Sequence, residues 1–198
     1  MTLEETIELM FDLQKSQPKE REYPIGLYIE TKMYKFYVDN YGIDPAEKLY
    51  EVLKKYDLET IEKSQNSLPI IVECFEHESL EKFETLSDLP LIYLMNTHNI
   101  DHYSLEDVAK YAHGIGPTNS RLYKGTFLKD AKALDLQVHP YVIKDDALHF
   151  TSNAVDETMY YLDQPIVIDG LFTEFPHTTY VIFEDHAKTQ WGREAKFM

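Results

Sequence analysis

The chain has 198 residues, 43% of them hydrophobic, enough to bury a sizeable core and, on length, to form one domain. Its 19 Lys and Arg against 35 Asp and Glu leave a net charge of −16, which argues against general affinity for nucleic-acid phosphates or anionic membrane surfaces. No apolar run approaches the roughly 18 residues of a membrane-spanning helix, and the acidic opening "MTLEETIELM" lacks the basic start of a signal peptide, so a soluble chain of undecided compartment is expected.

Thr2 and Glu5 form a capping box, and Leu3, Ile7, Met10, Phe11 and Leu13 share a helical face, so the chain opens on a helix with no strand before it. The polar loop "SQPKEREYP" leads to a strand at "IGLYI". Asp44 as N-cap and Pro45 in the first helical position open "PAEKLYEVLKKY", with Ala46, Leu49, Val52, Leu53 and Tyr56 on one stripe. The pattern then repeats. "LPIIVECF" leads to the helical "EHESLEKFETL", and "LPLIYLM" to "SLEDVAKYAH" with Ser104 as cap. "GIGP" precedes "RLYKGTFLKDAKALD", "LQVHPYVI" precedes "SNAVDETMYYLD", and "IVIDGLFTEFP" precedes a closing helix near "TTYVIFEDHA". Strands alternating with helices at this spacing predict parallel βαβ units, doubly wound or closed as a (β/α) barrel. No linker divides the chain, so residues 1–198 are expected to be one domain. Cys74, the one cysteine, reads as a small core residue.

In "GLYIETK", Leu27 and Ile29 fall on one strand face and Tyr28, Glu30 and Lys32 on the other. In a barrel the second face points inward, and its last members emerge at the carboxyl end, where such barrels build active sites. Glu73 in "IIVECF", His139 in "LQVHPYVI", and Asp169, Thr173 and Glu174 in "IVIDGLFTEFP" repeat the sign. Carboxylates with an imidazole suit a hard divalent cation, and a lysine beside them can neutralise phosphate oxygen. The residues alone point to a metal-assisted or phosphate-handling barrel, each polar group having an ordinary alternative as a buried ion pair or strand-end cap.

"GLYIETK", "IIVECF", "GIGP", "VHPYVIKDD" and "DGLFTEFP", in that order, resemble the glycerophosphodiester phosphodiesterase family, especially its larger, bacterial periplasmic-like members. The resemblance spans nearly the whole chain. It implies an α/β fold, a (β/α)8 TIM barrel of which six of eight parallel strands and their outer helices are present. It also implies hydrolysis of a glycerophosphodiester to glycerol 3-phosphate and an alcohol, in lipid and glycerol metabolism, with calcium or magnesium as cofactor. Glu30 matches a metal-binding carboxylate and Lys32 the lysine beside the substrate phosphate. Phe75 and Tyr141 match aromatic rim positions, with barrel-mouth packing as the alternative, and His139 a position with a structural role ahead of a catalytic one. Glu73 stands where the family commonly has glutamine, and Glu174 where aspartate is usual.

The family's His-Arg-Gly strand, Glu-Asn-Thr turn, Glu-x-Asp pair and His-Asp pair do not occur in the 198 residues. With them go the two histidines implied as general acid and base and the remaining metal carboxylates. The chain alone is therefore expected to be inactive and to bind no metal, and its unpaired barrel edges to favour self-association. A non-catalytic relative acting as a binding or interaction protein is the alternative. His98 and His102 in "THNIDH" read as solvated loop histidines, and His77, His113, His149, His177 and His186 lack ligand spacing. Tyr34, Phe36 and Tyr37 could touch substrate, with packing of a loop on a helix the plainer expectation.

Overall fold

The computed structural model describes residues 1–16, 25–99, 102–163, 166 and 168–191, with side chains followed to 186. They fall into two compact units, one on Met1–Leu94 and one on Met95–Lys196. The polar loop read over 16–24 lies, past Ser16, outside the described residues.

The first unit opens with α1 (Leu3–Ser16), started by the capping box: Glu5 N–H donates to Thr2 Oγ1 at 3.2 Å and Thr2 N–H to Glu5 Oε2 at 2.7 Å. Ile7 is buried, whereas Leu13 of the expected apolar face is exposed. β1 (Leu27–Glu30) is followed by α2 (Tyr34–Tyr41), where aromatic clustering suggested a loop. The helix forms because both of its ends are held. Met33 turns into it with φ 55°, and Gly42, at φ 61°, closes it by donating to Tyr37 and Val38 carbonyls. Phe36, Tyr37 and Tyr41 of α2 are exposed and pack on one another, with ring centroids 5.5–6.2 Å apart.

α3 (Pro45–Lys55) starts as expected, with Asp44 accepting from Ala46 N–H at 2.9 Å and Glu47 N–H at 3.1 Å. The one-turn α4 (Ile61–Ser64), β2 (Ile70–Cys74), α5 (His77–Glu84) and β3 (Leu91–Met95) follow. β1 pairs with β2 from Leu27 opposite Ile70 to Glu30 opposite Glu73, and β2 with β3 from Val72 opposite Leu91 to Cys74 opposite Tyr93, both parallel. Leu49 and Leu53 of α3, Leu80 and Phe83 of α5, and Ile70, Val72 and Leu91 of the strands are buried together as this unit's core.

The second unit contains α6 (Leu105–Val108), capped by Ser104 Oγ, which accepts from Asp107 N–H at 3.1 Å, then β4 (Gly114–Pro117). The helix read over "RLYKGTFLKDAKALD" is two, α7 (Asn119–Leu122) and α8 (Phe127–Ala133), because Gly125 sits between them at φ 59° in the left-handed region. β5 (Gln137–Val138) is parallel to β4, and the ladder continues past it with His139 N–H to Ile115 O at 2.9 Å and Tyr141 N–H to Pro117 O at 3.1 Å. α9 (Ala154–Leu162), capped by Asn153, and α10 (Pro176–Trp191) complete the described elements.

The sixth predicted strand, "IVIDGLFTEFP", is not a regular strand among the described residues. It keeps one parallel bridge, Thr173 to Ile143, and donates from Asp169 N–H to Val138 O and from Phe172 N–H to Pro140 O. Three residues on this segment thus span what two span on its neighbour, and such an insertion breaks the ladder.

Candidate functional site

Parallel register brings Glu30 and Glu73 side by side at the carboxyl ends of β1 and β2. Lys32 Nζ lies 2.6 Å from Glu30 Oε2, with the lysine largely exposed and the glutamate mostly covered. Glu73 is 8% exposed, and its Oε2 is buried with no hydrogen-bond partner among the described residues. Burial above all, then the charge of Glu30, pushes the Glu73 carboxyl up to about 7 against the pull of Lys32. Tyr28, one turn of the pleat earlier on β1, has its phenol held far above the ordinary range by burial and by Glu73. The arrangement offers an anion an exposed ammonium, and offers a cation two adjacent carboxylates.

The backbone around Lys32 is held by residues the sequence reading did not single out for that task. Cys74 Sγ–H donates to Thr31 O at 2.9 Å, and the Thr31 and Ser79 hydroxyls share a hydrogen bond of 2.8 Å. Glu76 accepts from Tyr34 N–H at 2.7 Å and Lys35 N–H at 3.0 Å, capping α2, while its own N–H donates to Cys74 Sγ at 3.3 Å. Cys74 is buried, as expected of a core residue, and is a hydrogen-bond donor as well. Phe75 stands between these two residues, half-buried.

In the second unit, His139 is 6% exposed, and burial holds its imidazole below the ordinary range. A Cβ on Gly170 would lie 3.1 Å from the His139 ring, so glycine permits this packing. Tyr141 follows, half-buried, its hydroxyl donating to Met95 O at 3.1 Å. The acids of the last predicted strand have local tasks: Asp169 pairs with Lys132 of α8 and accepts from Val138 N–H, and Glu174 pairs with Lys144 at 2.7 Å. Thr173 Oγ1 accepts from Phe175 N–H at the entry to α10. Glu157, fully buried on α9, accepts from the backbone N–H groups of His149, Phe150 and Thr151 at 3.0–3.1 Å. No feature of the sequence marks Glu157, because its partners form a contiguous loop instead of a helix start.

Residues 3–178 match the model of the glycerophosphoryl diester phosphodiesterase family. This chain belongs to that family. A curated glycerophosphodiester phosphodiesterase of Haemophilus influenzae is 25% identical over 215 residues, covering 89% of this chain and 56% of the relative. The chain thus spans a little over half the length of that relative. Among solved structures, proteins described as glycerophosphoryl diester phosphodiesterases from Silicibacter pomeroyi and Agrobacterium tumefaciens superpose with TM-scores of 0.67 and 0.61 at 17% and 13% identity. They cover 93% and 94% of this chain, and 56% and 64% of their own lengths are matched. At that identity the likeness speaks for the fold: this is an α/β chain of parallel strands with flanking helices, an incomplete (β/α)8 barrel.

The family is in general dependent on a divalent cation, a hard ion that takes six or more oxygen ligands, fewer from protein when waters or phosphate contribute. Glu73 Oε2, buried and unpartnered, and Glu30 beside it are suitable donors, but one oxygen of Glu30 already faces Lys32. Among the described residues no three His, Cys, Asp or Glu gather in a way that could hold an ion. Two carboxylates, one of them already turned to Lys32, would supply only part of such a shell. His98 stands in an exposed turn whose amides bond Asn96 and Asn99, and His77 opens α5 beside Glu78 and Glu81 at 3.4 Å.

Proposed function

We propose that this chain carries the phosphate-binding part of a glycerophosphodiester phosphodiesterase, an enzyme that releases glycerol 3-phosphate and an alcohol from a small soluble diester. Lys32 is the residue that meets the substrate phosphate, and the observation that carries this reading is its exposed ammonium 2.6 Å from Glu30 at a strand's carboxyl end. An ammonium held there lowers the cost of gathering negative charge on phosphoryl oxygen as the ester bond breaks. Glu30 is one ligand of a divalent cation, calcium or magnesium, in the complete family site. Phe75 is a substrate-facing aromatic of the first unit; in the second unit Tyr141 has that part and His139 supports its strand from within.

Proton transfer is assigned to none of these groups. In the family it falls to two histidines in motifs that this sequence does not contain. The test is glycerol 3-phosphate release from glycerophosphocholine with calcium or magnesium. It compares the 198-residue chain with the same chain joined to the first two strand–helix units of the Haemophilus influenzae relative. The joined protein should turn over and the short chain should not, and Lys32→Ala or Glu30→Ala in the joined protein should cost about a hundredfold or more in kcat/KM. Turnover unchanged by Lys32→Ala would overturn the reading. Self-association through strand edges is proposed alongside it, and a sedimentation coefficient that rises with concentration is its signature.

A further inference from the structure

The backbone is pinned on both sides of Lys32 within three residues. On one side, Thr31 is held three times over: its N–H donates to Glu73 O at 3.0 Å, its carbonyl accepts from Cys74, and its hydroxyl bonds Ser79. On the other side, Met33 takes the left-handed turn, and Tyr34 and Lys35 give their N–H groups to the two oxygens of Glu76. Glu76 N–H in turn reaches Cys74 Sγ, so the two sides are tied to each other through one carboxylate and one thiol. A long lysine side chain carries several rotatable bonds, and nothing in its own packing restricts it when it is largely exposed. Its one hold among the described residues is the ion pair with Glu30, and that pair is kept in reach by fixing where the side chain starts.

We propose that Glu76 is a positioning residue for Lys32: by capping α2 with both oxygens it fixes the backbone from which the phosphate-facing ammonium projects. The inference rests on the reading of Lys32 as the phosphate partner, and it names a residue whose own carboxylate is taken up by the first N–H groups of α2. Helix capping alone would make Glu76 a stability residue. The difference lies in whether its loss is felt specifically at the Lys32 side chain.

The experiment labels all lysines with 13C at the ε position in the full chain and records their methylene signals in wild type, Lys32→Ala, Glu76→Ala and Glu76→Gln, with and without glycerol 3-phosphate. Lys32→Ala assigns the signal. In Glu76→Ala the Lys32 signal should move to the position of a freely rotating lysine, while Lys63, paired in the same unit with Asp57 and Glu59, stays in place. Glu76→Gln keeps one acceptor oxygen and should fall between the two. Glycerol 3-phosphate should bind about tenfold more weakly to Glu76→Ala and about threefold more weakly to Glu76→Gln. A Lys32 signal unmoved in Glu76→Ala overturns the inference, as does movement of every lysine signal together in Glu76→Gln, which would mark a general loss of structure. Binding that survives Lys32→Ala overturns instead the underlying reading of Lys32, and the signal of Lys32 in Glu76→Ala still decides whether Glu76 positions it.

Discussion

Glu73 and Glu157 are the same amino acid, both buried, and they differ in what meets their oxygens. Glu157 faces three consecutive backbone N–H groups and the Thr151 hydroxyl, so its charge is solvated by the chain itself. Glu73 has an oxygen with no donor among the described residues and a second carboxylate, Glu30, as its strand neighbour. A buried acid with a full set of donors is an element of architecture. One left short, at the carboxyl end of parallel strands, is where a protein keeps bonding capacity for something it does not itself contain.

That comparison can be broken most easily at Glu157. Glu157→Ala takes the acceptor from three partly covered N–H groups and empties a buried position, and should cost about 3 kcal/mol in urea unfolding. A loss under about 1 kcal/mol would mean that the 149–151 loop finds water instead. At Glu73 the sign reverses and depends on pH. An ordinary glutamate titrates at 4.5 and Glu73 at about 7 when folded, so between these values the folded chain keeps a proton that the unfolded chain has released. The stability this confers is fully present below 4.5 and is lost as pH rises toward 7. Glu73→Gln, which has no proton to lose, should therefore be more stable than wild type by about 1–2 kcal/mol at pH 8, with the gap closing below pH 4.5. A gap that stays constant with pH would show that Glu73 has donors after all. The smallest effect belongs to Asp44, which satisfies two backbone N–H groups where Glu157 satisfies three, and does so at a partly solvated helix start. Asp44→Ala should cost about 1 kcal/mol in the same urea measurement, and a cost equal to that of Glu157→Ala would deny burial its part in the comparison.

How much of this was legible beforehand follows from the sequence distance over which each feature is made. The caps at Thr2, Asp44 and Ser104 are visible because donor and acceptor lie two or three residues apart, and so is the order of strands and helices, which hydrophobic period sets locally. The placement of Glu30 at a strand end follows from the same local pattern, and the family resemblance supplied its chemistry. α2 was hidden because it depends on Glu76, 42 residues beyond Tyr34, and on a left-handed Met33, a conformation no sequence rule assigns to methionine. The break of α7 from α8 at Gly125 was readable in principle; glycine inside a helical pattern carries either meaning, and here the left-handed turn prevails. The irregular sixth segment was not readable, since one extra residue between Asp169 and Phe172 leaves the alternation of side chains intact on either side.

The Glu76 cap has a consequence for how an anion would be drawn in. The amino end of a helix carries about half a positive charge, and α2 begins two residues after Lys32. Because a carboxylate already sits on that end, the helix contributes little net field to an arriving phosphate, and the Lys32 ammonium is itself paired with Glu30, so this part of the first unit exerts little long-range pull. A single exposed charge is screened over the roughly 8 Å Debye length of physiological salt. Capture by Lys32 should accordingly depend little on ionic strength and set in only at close range.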